Sequence, residues 1–231
     1  MARCLLANGR CGRLEEHCRS GICIARTIRR LQERRWRQKL GLFFVEGEDA
    51  VEAATAEPVE LLVAGENVVP DLLADVSTAA HPPRVIGLYR RDDLPGPEAR
   101  RANLALYGVA DPGNVGTLIR TADAFGAGVV LERGCADPTS PKALRASAGA
   151  IWRVPLHGAR GRAVALVARG GSPLTDVDLR GEVTFLLGAE RRGLPPDAVR
   201  DLSVTIPIES ESLNVAAAAA IALYEWRRQN S

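Results

Sequence analysis

The chain has 231 residues, 46% hydrophobic and 25% charged, which suits a soluble globular protein of one large domain or of one medium and one small domain. No apolar run approaches the roughly 18–20 residues of a membrane span, and no continuous apolar stretch of the secretory kind opens the chain, so a cytoplasmic protein without a membrane partner is expected. The net charge of +2 does not by itself announce nucleic-acid binding, so the distribution of charge matters more than its sum.

Residues 1–25 have no clear period and contain Gly9, Gly12 and Gly21, which predicts a poorly ordered arm. Cys4, Cys11, Cys18 and Cys23 lie there beside His17. A zinc site is conceivable, but the spacing lacks a paired C-x2-C, so no metal is expected. A structural disulfide does not suit a reducing cytoplasm. From Ile24 to Lys39 the pattern is helical, with Ile24, Ile28, Leu31 and Trp36 on or near one face. Arg26, Arg29, Arg30, Arg34, Arg35, Arg37 and Lys39 surround that face, opposed only by Glu33. This reads as a basic helix able to contact phosphates, or as a solvated amphipathic helix.

Short alternating elements follow: a strand over Leu42–Val45, a helix over Gly47–Ala56, a strand over Val59–Val63, a short helix over Asp71–Ala74 and a strand over Val85–Leu88. They suit a small α/β domain spanning residues 26–97. The charged segment Arg90–Arg101, with Pro95, Gly96 and Pro97, is the expected linker. A second domain over residues 98–231 has a stronger α/β rhythm. Its predicted strands are Leu104–Val109, Gly128–Leu131, Trp152–Leu156, Thr184–Leu187 and Val204–Ile208, with Val164–Ala168 ambiguous. Its predicted helices are Val115–Phe125, Lys142–Ala150 and Leu213–Arg228. Short apolar strands between helices argue for a mostly parallel sheet covered on both faces.

Three loops in this half are candidates for chemistry. The first, Asp111-Pro112-Gly113-Asn114-Val115-Gly116, follows a strand and opens a helix, with Asn114 as a fitting N-cap. At about 100° per residue, Arg120 falls well off that helix's apolar stripe. It is then either a solvated arginine or a planar fork of donors aimed at a phosphate. The second loop, Gly188-Ala189-Glu190-Arg191-Arg192-Gly193-Leu194, has two glycines five apart at the end of a buried strand. Such a loop can bring backbone close to a ligand, or it can be a simple connection. The third runs from Ile206-Pro207-Ile208 through Glu209–Glu211 to Ser212-Leu213-Asn214-Val215, with Ser212 a natural N-cap for the last helix. The first-turn amides there can meet an anion, or simply be capped. No G-x-G-x-x-G or Walker A pattern is present, which argues against a dinucleotide-dependent oxidoreductase or an ATP site.

Taken together and in this order, the three loops resemble the SpoU (TrmH-type) branch of the SPOUT methyltransferases. Asn114, Gly116, Arg120, Thr121 and Ala122 are similar to its N-x-G-x-x-x-R-T-A motif, and Gly188, Glu190, Gly193 and Leu194 to its G-x-E-x-x-G-L motif. Ile206, Pro207, Ser212, Leu213, Asn214 and Val215 are similar to its I-P and S-L-N-V motif. Asp137–Lys142 and Arg145–Ala150 also resemble the family, and Phe44-Val45-Glu46-Gly47 resembles the start of the small RNA-binding subdomain of rRNA-directed members. The resemblance implies an α/β domain with a deep trefoil knot, a homodimer, and S-adenosylmethionine held in the knot by Leu187, Gly188, Ala189, Gly193, Ile206, Ile208 and Leu213. It implies transfer of a methyl group to a ribose 2′-hydroxyl of RNA, of rRNA (23S) rather than tRNA, without a metal.

By the same resemblance Arg120 is the residue nearest the hydroxyl proton, with Asn114, Glu190, Ser212 and Asn214 orienting it and the ribose. A free arginine, with a pKa above about 12, is a poor base, so clamping the adjacent phosphate and stabilising the developing alkoxide is the expected role. Arg29, Arg30, Arg34, Arg35, Arg37, Lys39 and Arg145 are the expected RNA contacts. One departure from the pattern is the short link from Pro207 to Leu213, six positions filled by Glu209, Ser210 and Glu211, two of them able to repel RNA phosphate. The alternatives are a tRNA 2′-O-methyltransferase and a non-catalytic RNA-binding protein of the same fold.

Overall fold

The computed structural model describes residues 21–190 and 192–231. The chain divides into two compact units, one of residues up to Asp93 together with Thr139–Pro141, the other of Leu94–Pro138 and Lys142–Ser231. The division falls inside the charged segment Arg90–Arg101. Cys4, Cys11, Cys18 and His17 lie outside the described residues.

In the first unit, helix α1 spans Gly21–Leu31 and α2 spans Arg34–Leu40. Three strands form an antiparallel sheet in the order β1 (Leu42–Glu46), β3 (Val85–Arg90), β2 (Glu60–Val63). Helices α3 (Glu48–Glu52) and α4 (Pro70–Val76) complete the unit. Ala25, Ile28 and Leu31, three apart along α1, pack with Leu73 and Val76 of α4 on the sheet side carrying Leu42, Phe44, Leu62, Ile86 and Leu88. Period 3 to 4 on the helices and period 2 on the strands thus converge on one core. The helix expected from Ile24 to Lys39 is two helices. Arg37 donates from Nη1 to the carbonyls of Leu31 and Gln32, both at 2.8 Å, and so closes the C-terminus of α1 while Glu33 takes an extended backbone. The last residues of the expected disordered arm, from Gly21 onward, belong to α1.

The second unit is built on a six-stranded parallel sheet in the order β5 (Gly128–Leu131), β4 (Ala102–Leu106), β8 (Val183–Leu187), β6 (Arg162–Leu166), β9 (Leu202–Thr205), β7 (Ser172–Pro173). Helices α5 (Pro112–Phe125) and α7 (Val215–Gln229) pack on each other and on the central strands, so both lie on one face. The opposite face carries a smaller apolar cluster, Ala105, Ala165 and Leu186, with Tyr107, Val130 and Leu194 against it. Among the described residues no helix covers that face extensively, contrary to the expected two-sided cover. Residues Trp152–Leu156, expected as a strand, instead begin in a 3-10 turn (Ala150–Trp152) that follows α6 (Pro141–Ser147). Their apolar run reflects burial at 1–7% exposure for Trp152, Val154 and Leu156, which a buried turn satisfies as well as a strand.

Candidate active site

Because every strand pairing in the second unit is parallel, all six strands deliver their C-terminal ends to one edge, where open α/β sheets usually bind ligands. Three loops meet there: 107–111 after β4, 188–194 after β8 and 206–214 after β9. A cavity of about 170 Å³ lies between the last two. Its walls from the first of these include Leu187, Gly188, Ala189, Glu190 and Gly193. From the other come Ile206, Ile208, Ser212 and Leu213, with Val215 and Ala218 of α7 as the floor. Ile208 and Leu213 keep 41% and 36% of their surface exposed, an apolar lining not closed by the protein itself.

The loop after β8 is pinched by paired backbone bonds. The Ala189 amide donates to the Gly193 carbonyl at 3.1 Å and the Gly193 amide to the Ala189 carbonyl at 2.8 Å. Gly188 packs so tightly against this pinch that a Cβ there would collide with the backbone of Gly193 and Leu194. This is the physical demand behind the first glycine of the loop. Gly116 answers a similar demand, since a Cβ would strike the Ala143 carbonyl of α6.

At the mouth of the cavity a polar chain joins the three loops. Asn114 donates from Nδ2 to a carboxylate oxygen of Glu190, and Asn214 donates from Nδ2 to Oδ1 of Asn114 at 3.1 Å. Two capping assignments made from the sequence are corrected here. The cap of α5 is Asp111, whose Oδ1 accepts from the Asn114 amide at 2.9 Å; Asn114 sits in the first turn with its side chain free for Glu190. The cap of α7 is Asn214, whose Oδ1 accepts from the Ala216 amide at 2.9 Å; Ser212 lies before the helix, on the cavity wall. Asp111 was missed as a site residue, although an Asp directly before Pro at the first helical position is a cap signal. Lys142 donates to Asp111 Oδ2 at 2.7 Å, and this bond, with the Asn114 amide, holds the Asp111 carboxyl below its usual pKa.

Arg120 is not among the cavity walls. It is exposed on the outer side of α5 and makes no hydrogen bond or ion pair among the described residues. In the first unit, the guanidinium of Arg30 stands 4.7 Å from the ring centre of Trp36, that of Arg35 at 5.7 Å, and Lys39 Nζ at 5.1 Å. Trp36, expected with the apolar stripe, instead carries a cationic platform. Arg29 pairs with Asp75, and Arg35 with Glu33 at 2.6 Å. Arg34 and Arg145 are exposed. Arg37 is corrected as an RNA contact: at 2% exposure, with its donors on Leu31 and Gln32, it is a structural cap.

Among the described residues no helix is long and apolar enough to cross a membrane, and no group of three or more His, Cys, Asp or Glu could hold a metal ion.

The model of the SpoU rRNA Methylase family matches residues 101–224. The chain is 30% identical over 235 residues to the 23S rRNA (guanosine(2553)-2′-O)-methyltransferase RlmP of Bacillus subtilis, covering 86% of this chain and 94% of that protein. It is 34% identical over 191 residues to the 23S rRNA (uridine(2479)-2′-O)-methyltransferase of Streptomyces viridochromogenes, covering 70% and 66%. Among solved structures, the AdoMet-bound rRNA methyltransferase of Sinorhizobium meliloti superposes with a TM-score of 0.76 at 27% identity, covering 89% of this chain and 94% of that one.

Proposed function

The chain belongs to the SpoU rRNA methylase family, and from that premise we propose that it transfers a methyl group from S-adenosylmethionine to a ribose 2′-hydroxyl of RNA, with 23S rRNA its target rather than tRNA. The observation that carries this reading is the polar chain Glu190–Asn114–Asn214 at the mouth of a cavity lined by the 188–194 and 206–214 loops and by Leu166–Ala168. Its residues fit the cofactor. Leu187, Ile206 and Leu213 offer apolar wall to an adenine ring, the Cβ-free Gly188 keeps the 188–194 backbone closed up, and Glu190 and Ser212 supply polar groups at the rim. Two 23S rRNA 2′-O-methyltransferases among the relatives, and a related rRNA enzyme with AdoMet bound, support the same reaction.

When bound, the cofactor supplies an activated methyl group, so what remains for the protein is positioning and control of one proton. Asn114 is held on both sides, by Glu190 and by Asn214, and this fixes its amide for hydrogen bonding to the ribose. Asn214, itself locked as the cap of α7, anchors that set to a long helix with one buried face. Arg120 is assigned the phosphate beside the target ribose and the developing alkoxide, roles that suit a permanently charged planar fork. Facing away from its own cavity, it reaches such a site when a second copy of the chain docks beside α5 and α7. We therefore propose a homodimer. The exposed side of α7 supports it, with Ile221 at 39% and Tyr224 at 63% exposure.

A trefoil knot is part of the same proposal. Strand β9 lies between β6 and β7, so the 167–171 connection spans β9 and offers a loop for the 206–214 segment to thread. The small N-terminal domain, with the expected bounds 26–97, is assigned RNA contact through Arg30, Arg35 and Lys39 around Trp36.

Arg120→Ala tests the reading. The variant is expected to bind S-adenosylmethionine with unchanged affinity by calorimetry and to lose methyl transfer by about 100-fold or more. Near wild-type transfer by this variant would remove Arg120 from the mechanism.

A further inference from the structure

On the opposite side of the 188–194 loop from the cofactor cavity lies a second, larger cleft of about 700 Å³. The two share Ala189 and Gly193 of that pinched loop. Asn114 stands seven residues after Tyr107, and Arg192 two after Glu190, with Tyr107 and Arg192 on the cleft wall. The cleft therefore adjoins the cavity at whose mouth Glu190 meets Asn114.

The walls are suited to a flat ring with hydrogen-bond donors on its edge. Tyr107, Pro195 and Pro196 supply flat and apolar surface, and Gly108 leaves its part of the wall open. Glu132 and Asp197 supply carboxylates, Arg133 and Arg192 cations at the rim. None of these four charged side chains, nor the Tyr107 hydroxyl, makes a hydrogen bond or ion pair among the described residues. The two carboxylates both act on Tyr107: burial first, then Glu132 and Asp197, raise the phenol pKa above its ordinary value, which keeps it a donor.

We propose that this cleft receives the base of the nucleotide being methylated and selects guanine, through Glu132 and Asp197 on the base edge and Tyr107 against its face. The inference rests on the methyl-transfer reading above. An ionised carboxylate only accepts hydrogen bonds and accepts two side by side. Guanine presents two adjacent donors, N1–H and the 2-amino group. Uracil flanks its single N–H with carbonyl oxygens, which two carboxylates repel. Adenine and cytosine offer an amino group beside an acceptor nitrogen, and so leave half of a carboxylate unmatched. Arg133 and Arg192 then face the flanking phosphates.

The test uses the full-length protein with S-adenosylhomocysteine present, titrated with GMP, UMP, CMP and AMP and followed by NMR. GMP is expected to bind about tenfold or more tightly than the other three. Glu132→Gln combined with Asp197→Asn, both at exposed positions, is expected to abolish that preference while S-adenosylmethionine affinity stays at the wild-type value. Equal binding of the four nucleotides, no binding of GMP, or an unchanged preference in the double variant would overturn the proposal. A parallel arm maps 2′-O-methylated positions in rRNA treated with the purified protein. Methylation of a uridine, cytidine or adenosine overturns guanine selection and leaves the enzyme reading intact. Guanine-selective binding with no methylated RNA has the opposite meaning: the cleft stands and the methyl-transfer reading fails.

Discussion

Asn114 shows how a single residue is decided by its neighbours. It looks like the cap of α5, but Asp111, one residue before Pro112, takes that role through its carboxylate. The exchange releases the Asn114 side chain toward Glu190, and in this way a helix terminus is joined to the cavity mouth. Gly188 leaves no room for a Cβ on the wall of the proposed cofactor site. Gly188→Ala has to prise apart the Gly193–Leu194 backbone or shift its own strand end. Overpacking of this kind costs about 1–3 kcal/mol, and here it falls on the wall of the cavity. The expected outcome is a loss of S-adenosylmethionine affinity of about tenfold or more by calorimetry with a nearly unchanged circular dichroism spectrum. Unchanged affinity would mean that this loop does not shape the site.

At the scale of elements, the break between α1 and α2 separates two uses of arginine that the basic run does not distinguish. Arg37 is turned inward and satisfies the carbonyls of Leu31, the last residue of α1, and of Gln32 just after it, whereas Arg30, Arg35 and Lys39 gather around Trp36. Arg37→Met keeps the aliphatic stem but strands those carbonyls, a loss of about 1–3 kcal/mol. A fall in Tm of about 2–12 °C follows for a chain of this size, readable by calorimetry. If Tm did not move, the capping role would be wrong. Replacing Arg30 and Lys39 together by Ala should act on RNA instead. The slope of log affinity against log salt should shrink by about one to two, as two phosphate contacts are removed. The Arg37→Met slope should equal that of the wild type, and a double variant with an unaltered slope would locate the RNA elsewhere.

For the whole molecule, the proposed homodimer is the feature that brings Arg120 to a reacting ribose. Its exposure on α5 and the exposure of Ile221 and Tyr224 on α7 point to the same remedy, a second copy. Tyr224→Asp should convert a two-chain particle to a single chain in sedimentation equilibrium and abolish methyl transfer, while each chain retains its secondary structure. A wild-type protein that sediments as one chain at assay concentration and still methylates RNA would eliminate this arrangement.

Much of this was determined by the sequence alone. Periodicity marked most helices and strands, and the order of the Asn114–Ala122, Gly188–Leu194 and Ile206–Val215 segments carried the family resemblance, because turn residues and local patterning act over a few positions. The tertiary structure decided which polar groups meet. Asn114 and Asn214 are 100 positions apart, and their contact depends on a sheet order that sets β8 beside β4 and β9 between β6 and β7. Arg37 and Arg30 carry the same charge in the same basic run, and only the fold separates a buried cap from a half-buried cation beside Trp36. Trp152–Leu156 was misread because an apolar run records burial without saying whether the backbone is extended or turned. Such distinctions are set by where distant segments close on one another, where an unpaired buried polar group costs enough to select one partner among several similar ones.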